Sequence, residues 1–569
     1  MGAEVLKLMG RAVSFGHAVG PAFVLKKHSS VVPEFSIAED QIAHEWLRFE
    51  KACKEAERQL VECKAHVGNS VEMDRAEIFD IQIALLKDSY ILHELKRMLR
   101  DSLKNVEACL VAVVEKCLQR FREKESALGQ EHYWDLQDIC RRLLRILTGE
   151  VTGENRIVPK GSVCVAKGLE PSEVITLKEA KISGILLECE CAASHAVILA
   201  KSLKVPILIG IKDACSKIKE GTIIEIDGDR GVCWANKEVE KMPVTQKLSI
   251  PDKISIEDQN VGFYLSYDGN ESSLLKVSAI SGIGLVRSEM LFFNRDDFPD
   301  EEEQFLFYRR IVESANGKPV VLRTLDIGGD KLPKGQCVQE SNPFLGLRGI
   351  RYCLKHEDVF RQQLMAMLRA SAFGCVRILY PMISDVNELI RANEILETCK
   401  QDLSDKGIVY NSNIEVGAMI ETPGAVFCMN DLAKHCDFFS VGTNDLIQYT
   451  LAVDRTNATV APLYKMTHPA VFRCLRLIAQ QVNELDKEIL VCGELPNAVV
   501  PFLMCLSLGY RSFVIYENSI PYLAHLCNKI SLRELKMLVA QAQTMASTDA
   551  VSSVYENFYE NFLNETKNS

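Results

Sequence analysis

Short apolar runs alternate with amphipathic segments through the C-terminal half of the chain. Eight of these runs predict β-strands, at residues 261–265, 284–286, 320–322, 376–380, 416–420, 438–441, 489–491 and 513–515. The segments between them have the apolar spacing of helices. Eight alternating β and α units over roughly 250 residues or more are typical of a (β/α)8 barrel. We therefore predict a TIM barrel over residues 261–569.

The N-terminal half has a different pattern. Residues 1–34 and 149–235 carry short β runs, whereas residues 35–148 contain no proline and repeat their apolar positions at helical spacing. We predict an α/β domain built from 1–34 and 149–235, with an all-α bundle of about four helices, 35–148, inserted into it. The polar stretch 236–260 is interpreted as a linking helix and connector.

Composition and charge narrow the class of protein. The 569 residues have a net charge of −11 and no basic stripe, which argues against a nucleic-acid partner. The apolar runs are too short for membrane insertion. Twenty cysteines are scattered without a recognisable leader sequence, so we expect reduced thiols in the cytoplasm. A phosphorylated small molecule stays possible, because it needs only a local arginine cluster.

Polar residues follow five of the eight predicted barrel strands, at the edge where a barrel enzyme keeps its site. They are Arg287, Arg323, Glu421, Asn444 with Asp445, and Cys492. Glu421 and Asp445 are two carboxylates at two strand ends, which suits a hard cation such as Mg2+ that also keeps positions open for phosphate oxygens. The alternative is that each carboxylate only caps the helix that follows it.

Four arginines and one cysteine add candidate chemistry. Arg287, Arg323, Arg348 and Arg455 would together hold a small anion, because a guanidinium binds carboxylate and phosphate oxygens in pairs. Each one alone is more often a surface salt-bridge partner. Cys492 ends a strand at the predicted site, where a thiol can deliver a proton; a lone buried cysteine is otherwise a small apolar residue.

Several stretches of the barrel half resemble one family. They are Gly282-Ile-Gly-Leu-Val-Arg-Ser-Glu-Met-Leu-Phe, Arg323-Thr-Leu-Asp-Ile-Gly-Gly-Asp-Lys, Asn342-Pro-Phe-Leu-Gly-Leu-Arg, Met419-Ile-Glu-Thr-Pro, Gly442-Thr-Asn-Asp-Leu-Ile-Gln-Tyr-Thr-Leu-Ala-Val-Asp-Arg and Cys492-Gly-Glu-Leu. The chain resembles Enzyme I of the bacterial sugar phosphotransferase system, the phosphoenolpyruvate–protein phosphotransferases, over its whole length and domain order.

The resemblance implies a role for each residue of the barrel site. It implies that Glu421 and Asp445 bind Mg2+, and that Cys492 protonates the enolate carbon as pyruvate forms. Phosphoenolpyruvate would be held by Arg287, Arg323, Arg348, Asn444 and Arg455. The resemblance also implies a homodimer formed through the barrel domain.

His195 is the candidate phosphoryl acceptor. It lies in Ala193-Ser-His-Ala-Val-Ile-Leu-Ala-Lys at a predicted helix start, where free N–H groups suit a phosphoryl group. A helix-start histidine with no role is the plain alternative. The resemblance implies that His195 takes the group from phosphoenolpyruvate and passes it to a histidine of the carrier HPr, which would dock on the helical block.

The sequence departs from the family around His195. The usual Gly-Gly-x-Thr-Ser-His is here Glu190-Cys-Ala-Ala-Ser-His, and Leu-Thr-Pro-Ser-Glu is here Leu169-Glu-Pro-Ser-Glu. Glu170 and Glu190 would repel a phosphohistidine or alter its pKa, so transfer is expected to be slower than in typical members.

Three alternative functions share features with this sequence. Cys189, Cys191 and His195 have the spacing of a soft metal site, although no fourth ligand lies nearby. A pyruvate phosphate dikinase or phosphoenolpyruvate synthase would need an ATP-binding domain for which the chain has no length. A divergent regulatory relative with weakened phosphotransfer fits the altered residues before His195.

Overall fold

The computed structural model divides the chain into two compact units. One comprises Met1–Thr245 with Thr456–Ala458, and the other Gln246–Arg455 with Thr459–Ser569. The structure describes the whole chain except residues 1–5, 15–16, 26–31, 69–76, 124–126, 150–157, 170, 190–196, 198–199, 201–202, 204, 229–230, 237–249, 252, 268, 270, 275–276, 293–296, 329–339, 341, 456, 458–459, 518 and 569.

An eight-stranded mixed sheet forms the α/β part of the first unit, as the short β runs predict. Its strands are β1 (Leu6–Met9), β2 (Arg11–Ser14), β3 (His17–Leu25), β4 (Val163–Ala166), β5 (Gly184–Leu187), β6 (Ile207–Ile209), β7 (Ile223–Asp227) and β8 (Val232–Ala235). Their order is β1-β8-β7-β3-β4-β5-β6-β2. Strands β3 to β6 pair in parallel, and the remaining pairs are antiparallel.

Among the described residues, five long helices lie between β3 and β4, where the pattern predicts about four. They are α1 (Ile42–Gly68), α2 (Glu77–Leu86), α3 (Ser89–Ser102), α4 (Val106–Glu123) and α5 (Ala127–Thr148). The shorter helices α6 (Pro171–Glu179) and α7 (Ala214–Lys217) lie among the later strands. The extra helix arises because Asp88 caps α3: its Oδ1 accepts a hydrogen bond from the Ile91 N–H at 2.9 Å.

The bundle and the sheet share one apolar core. Phe49, Phe79 and Leu95 of the helices are fully buried in the same cluster as Cys164 and Ile185 of the central strands. The bundle is therefore packed on the sheet within this unit and is not an independent globule.

The second unit contains a closed barrel of eight parallel strands, which confirms all eight predicted strands. They are β11 (Gly262–Tyr267), β12 (Gly282–Arg287), β13 (Val320–Arg323), β14 (Val376–Tyr380), β15 (Glu415–Ile420), β16 (Phe438–Gly442), β17 (Glu488–Cys492) and β18 (Ser512–Ile515). Strand β18 pairs with β11 and closes the ring. The interior is a separate core of inward side chains that includes Val321, Leu379 and Leu490.

Helices surround the barrel. They are α8 (Glu271–Leu274), α9 (Glu301–Ser314), α10 (Ile350–Lys355), α11 (Glu357–Ala370), α12 (Val386–Asp405), α13 (Pro423–Phe427), α14 (Met429–Leu432), α15 (Thr443–Leu451), α16 (Pro469–Leu485), α17 (Val499–Ser507), α18 (Ile520–Cys527), α19 (Leu532–Ala542) and α20 (Thr548–Asn568). None of the helices in the described part of the chain has the length and apolar character needed to cross a bilayer.

Most of the linking helix and connector predicted at 236–260 lies outside the described residues, and the described part nearer the barrel is not helical. Residues 237–249 lie outside the described residues, and those nearer the barrel form a small hairpin of β9 (Ser255–Ile256) and β10 (Gln259–Asn260). Glu257 adopts a φ of +53° in the turn, which a helix does not accommodate.

Candidate active site

The predicted strand-end residues lie at one edge of the barrel. Arg287 and Arg323 are the last residues of β12 and β13 and stand opposite each other in the ladder. Glu421 directly follows β15, and Cys492 is the last residue of β17. Because all eight strands are parallel, their C-terminal ends meet at the same edge, which we call the site end; the opposite edge is the base.

Two of the four predicted arginines reach the site from loops and not from strand ends. Arg348 comes from the long connection after β13, just before α10, and Arg455 follows α15. The strand pattern does not reveal this, because a loop residue is placed by contacts far away in sequence. Arg348 is held by an isolated antiparallel bridge to Gly328.

A carboxylate joins the two central arginines. Asp326 Oδ2 lies 3.0 Å from Arg323 Nη1 and 3.0 Å from Arg348 Nη2. Glu289 binds the other terminal nitrogen of Arg323, Nη2. All four side chains are about nine-tenths buried or more, so these are desolvated ion pairs and not surface salt bridges.

The chain of ion pairs continues to Asp445. Arg348 Nη1 donates to Asp445 Oδ1 at 3.1 Å, and Arg455 Nη2 lies 3.8 Å from Asp445 Oδ2. Burial alone would raise the pKa of Asp445, but Arg348, Arg455 and Arg323 outweigh it and hold the pKa below its ordinary value. Asp445 is therefore an anion when the site contains no ligand.

At Glu421 burial outweighs the neighbouring arginines, so its pKa shifts in the opposite direction from that of Asp445. Its side chain is fully buried, and one oxygen accepts a hydrogen bond from the Met382 N–H at 2.6 Å. Burial, followed by the charges of Asp445 and Asp326, raises the pKa of Glu421 well above its ordinary value. The carboxylate also needs Gly442 beside it, because a Cβ there would lie 2.4 Å from Glu421 Oε2.

Neither carboxylate caps a helix, so the capping interpretation is wrong for both. Thr422 caps α13 in place of Glu421, its hydroxyl accepting from the Ala425 N–H at 3.1 Å. Asp445 lies inside the first turn of α15, whose N-cap is Gly442. Neither carboxylate is therefore needed at a helix terminus, and both can contact a ligand at the site end.

The carboxylates fit a divalent cation as a pair. Among the described residues no group of three or more His, Cys, Asp or Glu side chains is arranged to hold a metal. Glu421 is nevertheless a buried carboxylate close to the negative charges of Asp445 and Asp326, which a cation would offset. Two protein carboxylates completed by ligand and water oxygens are the usual requirement of Mg2+.

The Cys492 thiol is buried in the barrel interior at the site end. Its Sγ lies 3.2 Å from the Val441 carbonyl oxygen and 3.5 Å from Ser440 Oγ. Burial raises the pKa of Cys492 to about 11; the hydrogen bond from Ser440 lowers it and the charge of Glu421 raises it. The group is therefore a protonated thiol at neutral pH, as a proton donor must be.

Asn444 connects two neighbouring strand ends. Its Oδ1 accepts a hydrogen bond from the Glu494 N–H at 2.9 Å, and its backbone carbonyl accepts from the Tyr464 hydroxyl at 3.2 Å. Gly493 lies against it with a φ of +101°, and a Cβ there would meet Asn444 Oδ1 at 2.8 Å. This close packing holds the loops after β16 and β17 together.

The arginines retain unused donors. In the described part of the chain, Arg323 Nε and Arg455 Nη1 are buried and have no hydrogen-bond partner. An unsatisfied buried donor is costly, and a ligand oxygen would satisfy it. The site end can thus receive an anion beside a cation-binding carboxylate pair and a protonated thiol.

Two site residues escaped the sequence analysis. Asp326 and Glu289 both lie within stretches that carry the family resemblance, three residues after Arg323 and two after Arg287. Their position close to an arginine in the sequence could have identified both as candidate site residues. His195, Cys191, Glu170 and Glu190 lie outside the described residues.

Comparisons with known proteins agree with this geometry. Three family models match: PEP-utilising enzyme, N-terminal (residues 9–131), mobile domain (158–231) and PEP-binding domain (268–532). A phosphoenolpyruvate-protein phosphotransferase of Priestia megaterium is 32% identical over 562 residues, covering 96% of this chain and 98% of the relative. The protein of that name from Bacillus subtilis is 32% identical over 97% of this chain and 100% of its own length.

The chain belongs to the phosphoenolpyruvate-protein phosphotransferase family. Its members are transferases, and PEP-utilising enzymes use a divalent metal, in keeping with the carboxylate pair at the site end. A solved Enzyme I structure, determined by NMR, covers 41% of this chain and 94% of its own, with 24% identity and a TM-score of 0.35, which is too low to support an argument.

Proposed function

We propose that the protein transfers the phosphoryl group of phosphoenolpyruvate to its own His195 and then to a histidine of HPr, releasing pyruvate. The observation that carries the proposal is the meeting of buried arginine donors, two carboxylates and a protonated thiol at the site end of the barrel. The family match over nearly the whole chain supports the same reaction.

In this proposal the arginines bind and orient the substrate. Arg323, Arg348 and Arg455 lie in one chain of ion pairs, and Arg287 stands beside Arg323 in the ladder. Their donors would take phosphate and carboxylate oxygens, and Asn444 would add an amide contact. Glu421 and Asp445 would hold Mg2+, which when bound supplies charge compensation for phosphate oxygens.

The proposed proton transfer uses Cys492. A neutral His195 nitrogen attacks phosphorus, and the phosphorus–oxygen bond breaks with its electron pair leaving on the enolate oxygen. The enolate then collapses to pyruvate, and its terminal carbon takes the proton of the Cys492 thiol, leaving a thiolate. Burial suits the thiol to this role because it is still protonated at neutral pH.

Other parts of the proposal rest on the family resemblance. They are the docking of HPr on the helical block, a homodimer formed through the barrel domain, and a cytoplasmic location. The domain division at residues 35, 149, 236 and 261 is likewise a proposal. The free thiol state of every cysteine side chain that the structure describes is in keeping with a reducing compartment.

The test is incubation with phosphoenolpyruvate labelled in its phosphate, in the presence of Mg2+, followed by peptide mapping. We expect label on His195 and stoichiometric pyruvate. His195→Ala should abolish labelling, whereas His435→Gln, an exposed histidine on the barrel, should not. Label on another residue, or none in the parent protein, would contradict the proposal.

A second candidate is a regulatory relative with weakened phosphotransfer. Glu170 and Glu190, which replace a hydroxyl residue and a glycine of the family pattern, favour it. Substitution of Glu170 by threonine would then accelerate His195 phosphorylation, because a repelling carboxylate is removed. A slower or unchanged rate would argue against this candidate.

A further inference from the structure

Asp326 makes an unusual number of contacts for one buried carboxylate. Its Oδ1 lies 3.1 Å from Arg348 Nη2 and 3.3 Å from Arg348 Nε, and its Oδ2 lies 3.0 Å from Arg348 Nη2 and 3.0 Å from Arg323 Nη1. The side chain is only 4% exposed. Both oxygens are thus occupied by guanidinium groups.

The backbone around Asp326 is fixed by the segment that carries Arg348. Gly328 forms the antiparallel bridge with Arg348, and the Gly349 N–H donates to the Ile327 carbonyl at 3.3 Å. A Cβ at Gly349 would lie 3.2 Å from Asp326 Oδ1, and its φ is +58°. The carboxylate and the arginine it binds are therefore held as one unit.

We propose that Asp326 is a positioning residue that holds Arg323 and Arg348 in the orientation in which they receive the substrate anion. The inference rests on the function proposed above and names a part of its machinery that touches neither cation nor substrate. Asp326 acts through the arginines, because both of its oxygens contact their guanidinium groups.

The neighbouring charges explain why such a residue is needed. Among the described residues, the carboxylates that act on Arg348 or Arg323 besides Asp326 are Asp445, Glu421 and Glu289. Arg348 already contacts Asp445 with one nitrogen. Released from Asp326, its other nitrogens would turn to the same carboxylates and compete there with the cation. Asp326 thus keeps most of the Arg348 guanidinium away from the two carboxylates proposed for the metal.

Charge alone predicts the opposite effect, which makes the inference testable. Removal of a negative charge from an arginine cluster should strengthen binding of an anion by electrostatics. Loss of the orienting carboxylate should weaken it, because the guanidinium groups no longer present their paired donors together. The sign of the change in affinity separates the two effects.

The experiment measures phosphoenolpyruvate binding to full-length protein by titration calorimetry with Mg2+ present. His195→Ala is the background, so that no transfer occurs. We expect Asp326→Asn to weaken binding by about tenfold or more. The matched control is Asp402→Asn, which removes a carboxylate paired with Arg361 on the outer helices and should leave binding unchanged within about twofold. With His195 restored, Asp326→Asn should raise KM more than it lowers kcat.

Unchanged or tighter binding in Asp326→Asn would overturn the inference. If that variant does not fold, Asp326→Glu replaces it: the charge stays and the oxygens move by one methylene, so weaker binding again supports positioning and unchanged binding refutes it. If the background protein itself binds no phosphoenolpyruvate, the proposed function fails, which is a result distinct from the failure of this inference.

Discussion

Both ends of the barrel bury arginines, but only one end has the properties of a site. At the base, Arg377 of β14 is 7% exposed and pairs with Glu415 and Glu488 at 2.5 and 2.9 Å, and its guanidinium lies 3.8 Å from the centre of the Phe438 ring. These glutamates are 53% and 39% exposed. Water therefore solvates the charges of the two glutamates. Arg377 and its partners close the barrel interior at the base.

At the site end the partners are buried as well. Arg323 is 11% exposed, and its partners Glu289 and Asp326 are 7% and 4% exposed. Desolvated pairs of this kind shift the pKa values of the carboxylates among them, as at Asp445 and Glu421. A buried arginine alone therefore does not mark a site, whereas an arginine whose partner carboxylates are also buried does.

The largest expected effect is at the carboxylate pair. Asp445→Ala or Glu421→Ala should lower the rate of phosphorylation by phosphoenolpyruvate by about 100- to 1,000-fold or more, because charge compensation at the phosphate is lost. The initial rate at limiting Mg2+ measures it, with circular dichroism to verify folding. Glu415→Gln at the base is the matched control and should keep the parental rate; equal losses at both ends would erase the comparison.

The next effect separates the two half-reactions. Cys492→Ala should slow net pyruvate formation by about 100- to 10,000-fold, because the enolate carbon loses its proton donor. Phosphate exchange between phosphorylated HPr and the protein should continue, since it uses His195 and no enolate. Buried Cys505, on α17, offers a control in Cys505→Ala. Parallel loss of both activities in Cys492→Ala would indicate a structural role.

A smaller effect follows from the raised pKa of Glu421. The group binds a proton in the ligand-free protein up to a higher pH than an ordinary glutamate, and a cation must displace that proton. Mg2+ affinity should therefore rise with pH through the neutral range, by at most about tenfold per pH unit. Calorimetry in buffers of different ionisation enthalpy should detect proton release. A pH-independent affinity, or a slope that persists in Glu421→Gln, would refute this.

The smallest effect is at the base. Arg377→Met should cost about 1–3 kcal/mol of stability, because the cation–π contact and two half-exposed ion pairs disappear while water solvates the remaining glutamates. Thermal unfolding should show the loss, and the rate at 25 °C should not change. Arg323→Met is the matched substitution at the site end and should lose phosphoenolpyruvate binding. Inactivity of Arg377→Met at a temperature where it is folded would remove the distinction between the two ends.

The sequence indicated much of the barrel and part of its site. Most of the barrel strands are apolar runs that the barrel buries on both faces, so these runs located all eight strands, although β11 is fully buried only at alternate positions. Arg287, Arg323, Glu421 and Cys492 follow such runs and needed no tertiary information to be placed at one edge. Asp88 is a typical N-cap residue, so the sequence did carry a signal for the break between α2 and α3. The pattern did not predict this break, because the apolar positions continue across it at helical spacing.

By itself, the amino-acid sequence determined the eight barrel strands, the edge at which the polar residues meet and the family. Only the tertiary structure decided which charges pair there. Arg348 and Asp445 are 97 residues apart, and no local pattern links them. Whether Glu421 carries a proton depends on burial and on Asp445 and Asp326 beside it. Secondary structure follows from neighbours along the chain, whereas the electrostatics of a buried site follow from neighbours in space.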